Sequence, residues 1–524
     1  MDIADLLGSL VDKSLVVAAP GAEGAMRYRM LETIHEYASE RAAEAPGERA
    51  EAERAHTAYF IGFAETAEPR LRSADQLPWM RRVETELDNI RAVLDRARAA
   101  GDERAAQRMV FAVCWFWWLR NYRTEALRRV DQALALGPEP EREDDPRYWP
   151  YRSLQLMRVF MLGEHGGLDR IRAEPGGLTS VQRLIRTFDR PGPQSARFPG
   201  MLWGLLAFFV DPGVDLRRVL ADTLANVRRY GGPWETAVVL MGRTHVLVDL
   251  PGGVEEVDAA LGELQELCRE VGDRWVLAQV SGAVGEMAMA RGRFDAARAA
   301  CEESLRYARE VGAYAEAPVL LARLAELSYR AGDLEGAEKG LAEAVREAEQ
   351  AHVRDAEAFL ALLGALLAIA REDVGRARTV IEAAKAEAGL GTPPPQFAVA
   401  VGVVEARIAA REEAGPRAAL RALALVLRRA VAGGFAPTLL AQVAEVAAPM
   451  LVSTGEPAAA VRVLAAAETW RGAYPRSVPE AGEAAEVVSR ARAALTPEAY
   501  EKARATGAGR TPPEVAADLA ALSA

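Results

Sequence analysis

The chain is poor in the residues that most often carry chemistry. Among 524 residues it has three cysteines, Cys114, Cys268 and Cys301, five histidines and only the four lysines Lys13, Lys339, Lys385 and Lys502. No two cysteines have C-x-x-C spacing and their number is odd, which excludes a disulfide framework and fits a reducing compartment. The histidines, His35, His56, His165, His245 and His352, are scattered along the chain. "HEYAS" at 35–39 places Ser39 where a zinc-binding H-E-x-x-H helix needs its second imidazole, so no metal site is expected. A phosphate-binding P-loop needs a lysine directly after a glycine, to reach the β/γ-phosphates. No lysine here follows a glycine, so nucleotide hydrolysis by that route is excluded for this chain. "GLGTPP" and "GAGRTP" put proline where G-x-G-x-x-G has its third glycine, and G-x-S-x-G is absent. We therefore expect no catalytic residue, no cofactor and no enzymatic role.

Long apolar runs and excess positive charge are also lacking. The longest apolar runs, "MLWGLLAFFV" and "FLALLGALLAIA", fall far short of the roughly 20 residues needed to span a bilayer, and read as core helices. The N-terminus carries Asp2 and Asp5 where a signal peptide would be basic, which points to the cytoplasm. With a net charge of −11, a chain-wide grip on nucleic acid is not expected, because phosphate binding draws on clustered cations.

What is present is helix-forming: Ala, Leu, Glu and Arg dominate, while aromatic residues make up only 6%. One β feature stands near the start, where "SLVVAA" and "RYRML", separated by a Gly- and Pro-containing connection, predict a hairpin. Helices over roughly 3–12 and 32–44 flank it, giving part of a winged helix at 1–45. From about 234 the sequence repeats with a period of 40. Val254, Phe294, Leu334 and Val374 form one column, Val257, Ala297, Ala337 and Ala377 a second, and Gly285, Ala325 and Ala365 a third. "REVG" recurs at 269–272 and 309–312, and drifting copies follow at 394–435 and 436–475. Coincident columns at one period indicate an α-solenoid of helix pairs. The small residues mark where the two helices of a pair cross closely, and their pattern resembles the tetratricopeptide (TPR) repeat, whose period is about 34 residues. The additional six are expected to lengthen the second helix and its connection.

Breaks at "GPEPEREDDPRYWP" (137–150) and "RPGPQSARFPG" (190–200) complete the division. The expected fold is all-α: a partial winged helix (1–45), a helical linker module with a first TPR-like pair (46–137), a Pro/Gly-rich connection with helices (138–200), a TPR-like solenoid (201–480) and a helical tail (481–524).

Three groups of residues are candidates for contact. The wing residues Lys13, Arg27 and Arg29 could meet phosphates, but seven acidic side chains among residues 1–41 favour a packing or autoinhibitory role. In "CWFWWL" (114–119), Trp115, Trp118 and Leu119 read as a buried helix crossing rather than a stacking platform, with Trp117 on another face and the better contact candidate. On the concave face of the solenoid, Glu286 and Met289, Glu326 and Tyr329, and Leu366 and Ile369 should line a groove. The two glutamates would form an acidic strip beside an apolar end, fit for a basic or amphipathic peptide, although ordinary solvated glutamates fit the pattern equally well.

"LLGSLVDKSLVVA" followed by "RYRMLETIHEYASERA", then "LPWMRRVETELDNIRAVLDRA", "FWWLRN" and "LTPEAYEKARATGAGRTPPEVAADL", resemble the C-terminal half of large bacterial STAND-type transcriptional regulators, the AfsR-like and LuxR-type (NB-ARC-like) ATPases. The resemblance covers nearly the whole chain. It implies that the chain opens inside the winged helix that closes an ATPase module, and that its TPR-like repeats sense a ligand or protein partner. The ATPase and DNA-binding parts would be separate from it. The alternative is a free-standing TPR-like scaffold for protein–protein interaction. Neither reading expects direct nucleic-acid or membrane contact from this chain.

Overall fold

The computed structural model describes all residues except 1–2, 22–23, 25, 164–170, 172–175, 211–213, 248–251, 314–315, 352–355, 389–394 and 524. His165 and His352 therefore lie outside the described residues, as does the side chain of Val254.

The N-terminal unit has the expected order. Helix α1 (Ile3–Asp12) leads into β1 (Val17–Pro20), β1 pairs antiparallel with β2 (Met26–Arg29) with Val17 opposite Arg29, and α2 (Glu32–Ala43) follows. Neither helix buries a residue; Ile3 is 75% exposed, and Leu6, Met26 and Leu31 are also exposed. Besides the packing of α2 on the helix that follows it, the unit touches the rest of the molecule through Arg27, whose guanidinium pairs with Glu86 at 2.6 Å and donates to the Thr85 carbonyl at 3.2 Å.

Helices α3 (Pro46–Ala67), α4 (Gln76–Thr85), α5 (Leu87–Ala100), α6 (Glu103–Leu119) and α7 (Arg123–Leu134) follow, then α8 (Tyr148–Gly163). Helix α6 is apolar on every side over its second half, and such a helix must be central to a core. It is: Trp115, Phe116 and Trp117 are among the largest fully buried side chains. The buried cluster around them runs continuously from Ile61 to Ala313, so the linker module, the Pro-rich connection and the first repeats share it.

The repeat array is built from helix pairs. Pro233–Leu247 pairs with Gly253–Val271, Arg274–Ala290 with Phe294–Val311, Ala317–Arg330 with Leu334–Ala351, and Glu357–Ala370 with Val374–Ala388. Pro395–Ala409 and Gly415–Ala432 make the next pair. The second and third predicted columns are buried, with Ala297, Ala325, Ala337, Ala365 and Ala377 all at 0–1% exposure, while Phe294, Leu334 and Val374 of the first are half-buried. A methyl group built on Gly285 would come 2.8 Å from Cys301 Sγ, which is why that crossing takes glycine. Ser304 donates to the Ala278 carbonyl at 2.6 Å across the same pair. The longer period is accommodated in part by the second helix, 18 residues against 14 in the 317–351 pair. Each turn within a pair needs a left-handed residue to end the first helix, supplied by Gly292, Gly332 and, unusually, Glu372.

Beyond the array, Pro437–Glu445, Ala447–Ser453 and Pro457–Arg471 continue the helical packing, and the tail forms Val478–Ala494, Pro497–Ala508 and Pro512–Leu522. The tail shares a core with the last repeats through Val487, Val515 and Leu519.

Candidate functional site

The six residues expected to line the groove are divided by the structure. Glu286 does lie beside Glu326, but the side chain between them is cationic. Arg323 reaches Glu286 at 3.2 Å and Glu326 at 2.9 Å, and Arg330 takes the other side of Glu326 at 2.9 Å. Burial alone would push the Glu326 carboxyl up; Arg330 and Arg323 outweigh it and hold it below the usual carboxylate range. The expected acidic strip is thus an alternating, internally neutralised ladder, because the first helices also place arginines at this edge. The expected apolar end is corrected too. Ile369 is buried and Leu366 packs against the same cluster, so they hold neighbouring helices together instead of facing a ligand. Met289 packs beside Ala288 and Leu327, and Tyr329 beside Ala325 and Leu367.

Tyr329 leads to the feature that sequence reasoning missed. The segment following the helix that ends at Arg471 turns back along the array and lies against the ends of its first helices. A methyl group on Gly292 would come 2.2 Å from Pro475, and one on Gly332 would come 3.0 Å from Val478. Tyr474 comes within electrostatic reach of Asp258 and Arg291. Further along, Glu483 pairs bidentately with Arg407 of the helix Pro395–Ala409, at 2.6 and 2.9 Å. Residues 474–483 therefore strap the turn edge of successive repeats in chain order.

The anchor of this strap is a buried ionic knot. Arg471 donates to Glu445 at 2.6 Å and to Glu480 at 3.1 Å, while Arg476 reaches Glu445 at 2.9 Å. Glu480 also accepts from the Ser477 amide at 2.9 Å, completing a capping box at the start of Val478–Ala494. Burial pushes the Glu480 carboxyl up, but Arg471, the Ser477 amide and Arg330 hold it below the usual range. Nothing in the 40-residue period announces the strap. Its contacts join residues 76 apart (Arg407 and Glu483), and the only local signal was the S-x-x-E of its capping box.

The aromatic group at 114–119 is interior. Trp115 and Trp118 stack with ring centroids 4.8 Å apart, and the edges of Trp234 and Trp275 meet the Trp115 ring at 5.3 and 5.1 Å. Trp117, expected on a contact face, is 0% exposed. The reason is that the second half of α6 is enclosed on all sides, leaving it no outward face there. Directly beside this core, α4 joins the array. The Gln76 amide donates to Asp273 Oδ1 at 2.9 Å, the Trp234 indole donates to Asp273 Oδ2 at 2.7 Å, and the Trp275 and Val276 amides donate to Oδ1 at 2.8 and 3.2 Å. Gln76 accepts from the Arg274 amide at 2.9 Å in return. Gln76 and Asp273 are fully buried, and burial pushes the Asp273 carboxyl above its usual range against these four donors.

On the other side of this core, Arg72 pairs with Glu235 at 3.3 Å and lies over the Trp234 ring at 4.7 Å, bordering a cleft of about 470 Å³ lined also by Glu65, Arg108 and Phe198. The cleft's cations are matched by its carboxylates, Arg108 by Glu65 at 2.6 Å.

Of the wing residues, Lys13 and Arg29 are exposed while Arg27 is engaged by Glu86. No group of three metal-ligating side chains occurs among the described residues, nor any helix long and apolar enough to cross a membrane.

No protein-family model matches the chain. Three proteins, one from Mycobacterium bovis (strain ATCC BAA-935 / AF2122/97) and two from Mycobacterium tuberculosis (strains CDC 1551 / Oshkosh and ATCC 25618 / H37Rv), each described as a "Putative HTH-type transcriptional regulator", are 26% identical to it over 323 residues. The match covers 60% of this chain and 34% of theirs, so the chain spans about a third of the length of the curated relatives it matches. Among solved structures, a signal transduction ATPase with numerous domains (STAND) protein with a tetratricopeptide repeat sensor from Pyrococcus horikoshii aligns at TM-score 0.37 and 13% identity, over 78% of this chain and 55% of that one. Yeast Tom70 aligns at TM-score 0.30 and 12% identity, over 85% of this chain and 98% of that one. The assignment as a helical-repeat array rests on the helix pairs themselves, and the chain is distantly similar to transcriptional regulators.

Proposed function

We propose that this chain is the sensor and regulatory module of a STAND-type transcriptional regulator in the cytoplasm. Its TPR-like array would bind a ligand or protein partner, and the N-terminal unit would relay that state to a nucleotide-binding and DNA-binding part. The observation that carries the reading is the dry joint at Asp273, which ties the array to α4, one helix away from the Glu86 that holds the wing through Arg27. A change in the array is thereby coupled to an N-terminal unit whose apolar side chains Ile3, Leu6, Met26 and Leu31 are uncovered. Such a face suits packing on a nucleotide-binding core, and relay would be a shift between packed and released states. The module's role is binding and relay, without catalysis and without direct contact to nucleic acid.

The test starts from the DNA upstream of Met1, read in frame. An intact G-x-x-x-x-G-K-[ST] motif there supports the reading, and the ATPase activity of that longer chain should then change when the array is altered. Unrelated sequence, or an ATPase indifferent to the array, overturns it. The second reading, a free-standing scaffold, is favoured by one observation: the array's edge already holds a peptide segment, the strap at 474–483.

A further inference from the structure

The geometry points to the edge of the array under residues 474–483 as a docking surface for an acidic segment of a partner protein, with the chain's own strap as its resident competitor. This rests on the reading of the array as a binding surface and names the chemistry of what it binds.

Three features of the surface define the occupant. At Gly292 and Gly332 the array offers turns without side chains, against which Pro475 and Val478 lie at distances a methyl group would forbid. A docked chain can therefore come close to the backbone there. Next, the first helices end in cations: Arg330 stands within electrostatic reach of Glu480, and Arg407 forms a two-pronged pair with Glu483. Glu483, in the first turns of a helix, thus pairs directly with an array guanidinium, while Glu480 three residues before it pairs with Arg471 and feels Arg330 only at longer range; a free acidic helix can reproduce the direct pair. Lastly, the Tyr329 ring lies beside both glutamates and is itself mostly buried. The occupant that fits is an extended turn, small or Pro-containing, running into an acidic helical start.

The strap is built to leave. Val478 is 55% exposed and Pro475 is exposed, so its seating buries little apolar surface. Its outer clasp, Glu483 with Arg407, has the carboxylate 37% exposed and accessible to competing charge. The inner knot of Arg471, Glu445 and Glu480 fastens the strap's root to its own helices rather than to the array, so it keeps the strap tethered after release.

The experiment uses the full chain and two readouts. One is trypsin cleavage after Arg476 and the other is binding of a labelled synthetic peptide of residues 473–490, measured by fluorescence anisotropy. Glu483→Lys turns the clasp repulsive while leaving the surface intact; Arg407→Glu alters the surface; the double variant R407E/E483K restores the clasp with its charges exchanged. We expect the wild type and the double variant to resist cleavage and bind the peptide weakly. E483K should be cleaved at least tenfold faster and bind the peptide at least tenfold more tightly. R407E should be cleaved quickly yet bind no peptide, and the resistance of the double variant shows that these substitutions leave the fold intact. If E483K binds no more tightly than the wild type, or R407E binds as well as E483K, the docking surface is overturned. Rapid cleavage of E483K without peptide binding also overturns it, showing a latch with no docking role. The wider regulatory reading is judged separately, by the upstream motif and its ATPase.

Discussion

Two of the joints by which the array meets the rest of the chain are built from opposite materials. At the N-terminal joint a fully buried carboxylate, Asp273, takes four neutral donors, one of them the indole of Trp234, whose ring with that of Trp275 packs edge-on against Trp115. At the C-terminal joint an ion pair with a part-exposed carboxylate, Glu483 with Arg407, and glycine turns at Gly292 and Gly332 carry the contact. A neutral, dry network loses its full desolvation penalty when any one member goes, whereas a half-exposed ion pair exchanges cheaply with water and salt. Under the proposed regulatory reading the first joint would transmit and the second release.

The comparison breaks most visibly at the first joint. Asp273→Ala leaves the Trp234 indole N–H and two backbone amides without acceptors in a site that excludes water, and leaves the Gln76 amide with only its bond to the Leu71 carbonyl at 2.7 Å. Leaving buried donors unpaired costs about 1–3 kcal/mol each, so the loss should reach about 3 kcal/mol or more, read as a lower urea midpoint by tryptophan fluorescence. A loss under about 1 kcal/mol would mean that water enters the joint and that the array is not rigidly tied to α4. Trp117→Ala should cost about 3–5 kcal/mol of stability through the cavity it opens. If Trp117 were a contact residue, stability would hold and only binding would change.

Acid should separate the two joints without any substitution. Glu480 is held below the usual glutamate range by Arg471, the Ser477 amide and Arg330, so its contribution is present above the ordinary pKa and is lost as the pH falls through its lowered folded value. Glu326 behaves in the same way, through Arg330 and Arg323. Asp273 has the opposite sign. Burial raises its carboxyl, so its contribution is complete below the unfolded value and declines as the pH rises through the folded one. Lowering the pH from about 4.5, the ordinary glutamate value, downward should therefore loosen residues 474–483, seen as faster hydrogen exchange after correction for the intrinsic rate, whereas little should change between pH 7 and that point. Tryptophan emission from the first joint should stay constant as the strap loosens. Emission that shifts before the strap opens would reverse the assignment of which joint yields.

How much of this was legible in the sequence follows from the range of each interaction. The helix pairs were readable because Ala297, Ala325, Ala337, Ala365 and Ala377 recur at a fixed interval and each meets its neighbour locally. Helices α1 and α2 and the hairpin were readable from local patterning and turn residues. The groove failed in its chemistry, since placing Glu286 and Glu326 on one face says nothing of Arg323 folding between them. Trp117 failed because helical periodicity assumes an outward face, and the second half of α6 has none. Both joints were invisible. Gln76 meets Asp273 across 197 residues and Arg407 meets Glu483 across 76, and no spacing rule reaches so far in one sequence.

The smallest effect concerns the third attachment, Arg27 to Glu86, which links the wing to the linker module. With Arg27 43% exposed and Glu86 22%, the pair resembles the C-terminal clasp in material and the N-terminal joint in position. Exposed pairs contribute about 0.2–1 kcal/mol, so Arg27→Ala should leave the urea midpoint almost unchanged. Lys13→Ala and Arg29→Ala, whose side chains are exposed and make no ion pair among the described residues, should fall within about 0.5 kcal/mol of the wild type. What Arg27→Ala should change is local: faster hydrogen exchange across β1 and β2, because this is the contact that seats the hairpin on α4. If exchange in the hairpin is unaffected, the wing is held by something other than Glu86, and the path from the first joint to the N-terminal unit has to be drawn through α2 and α3 instead.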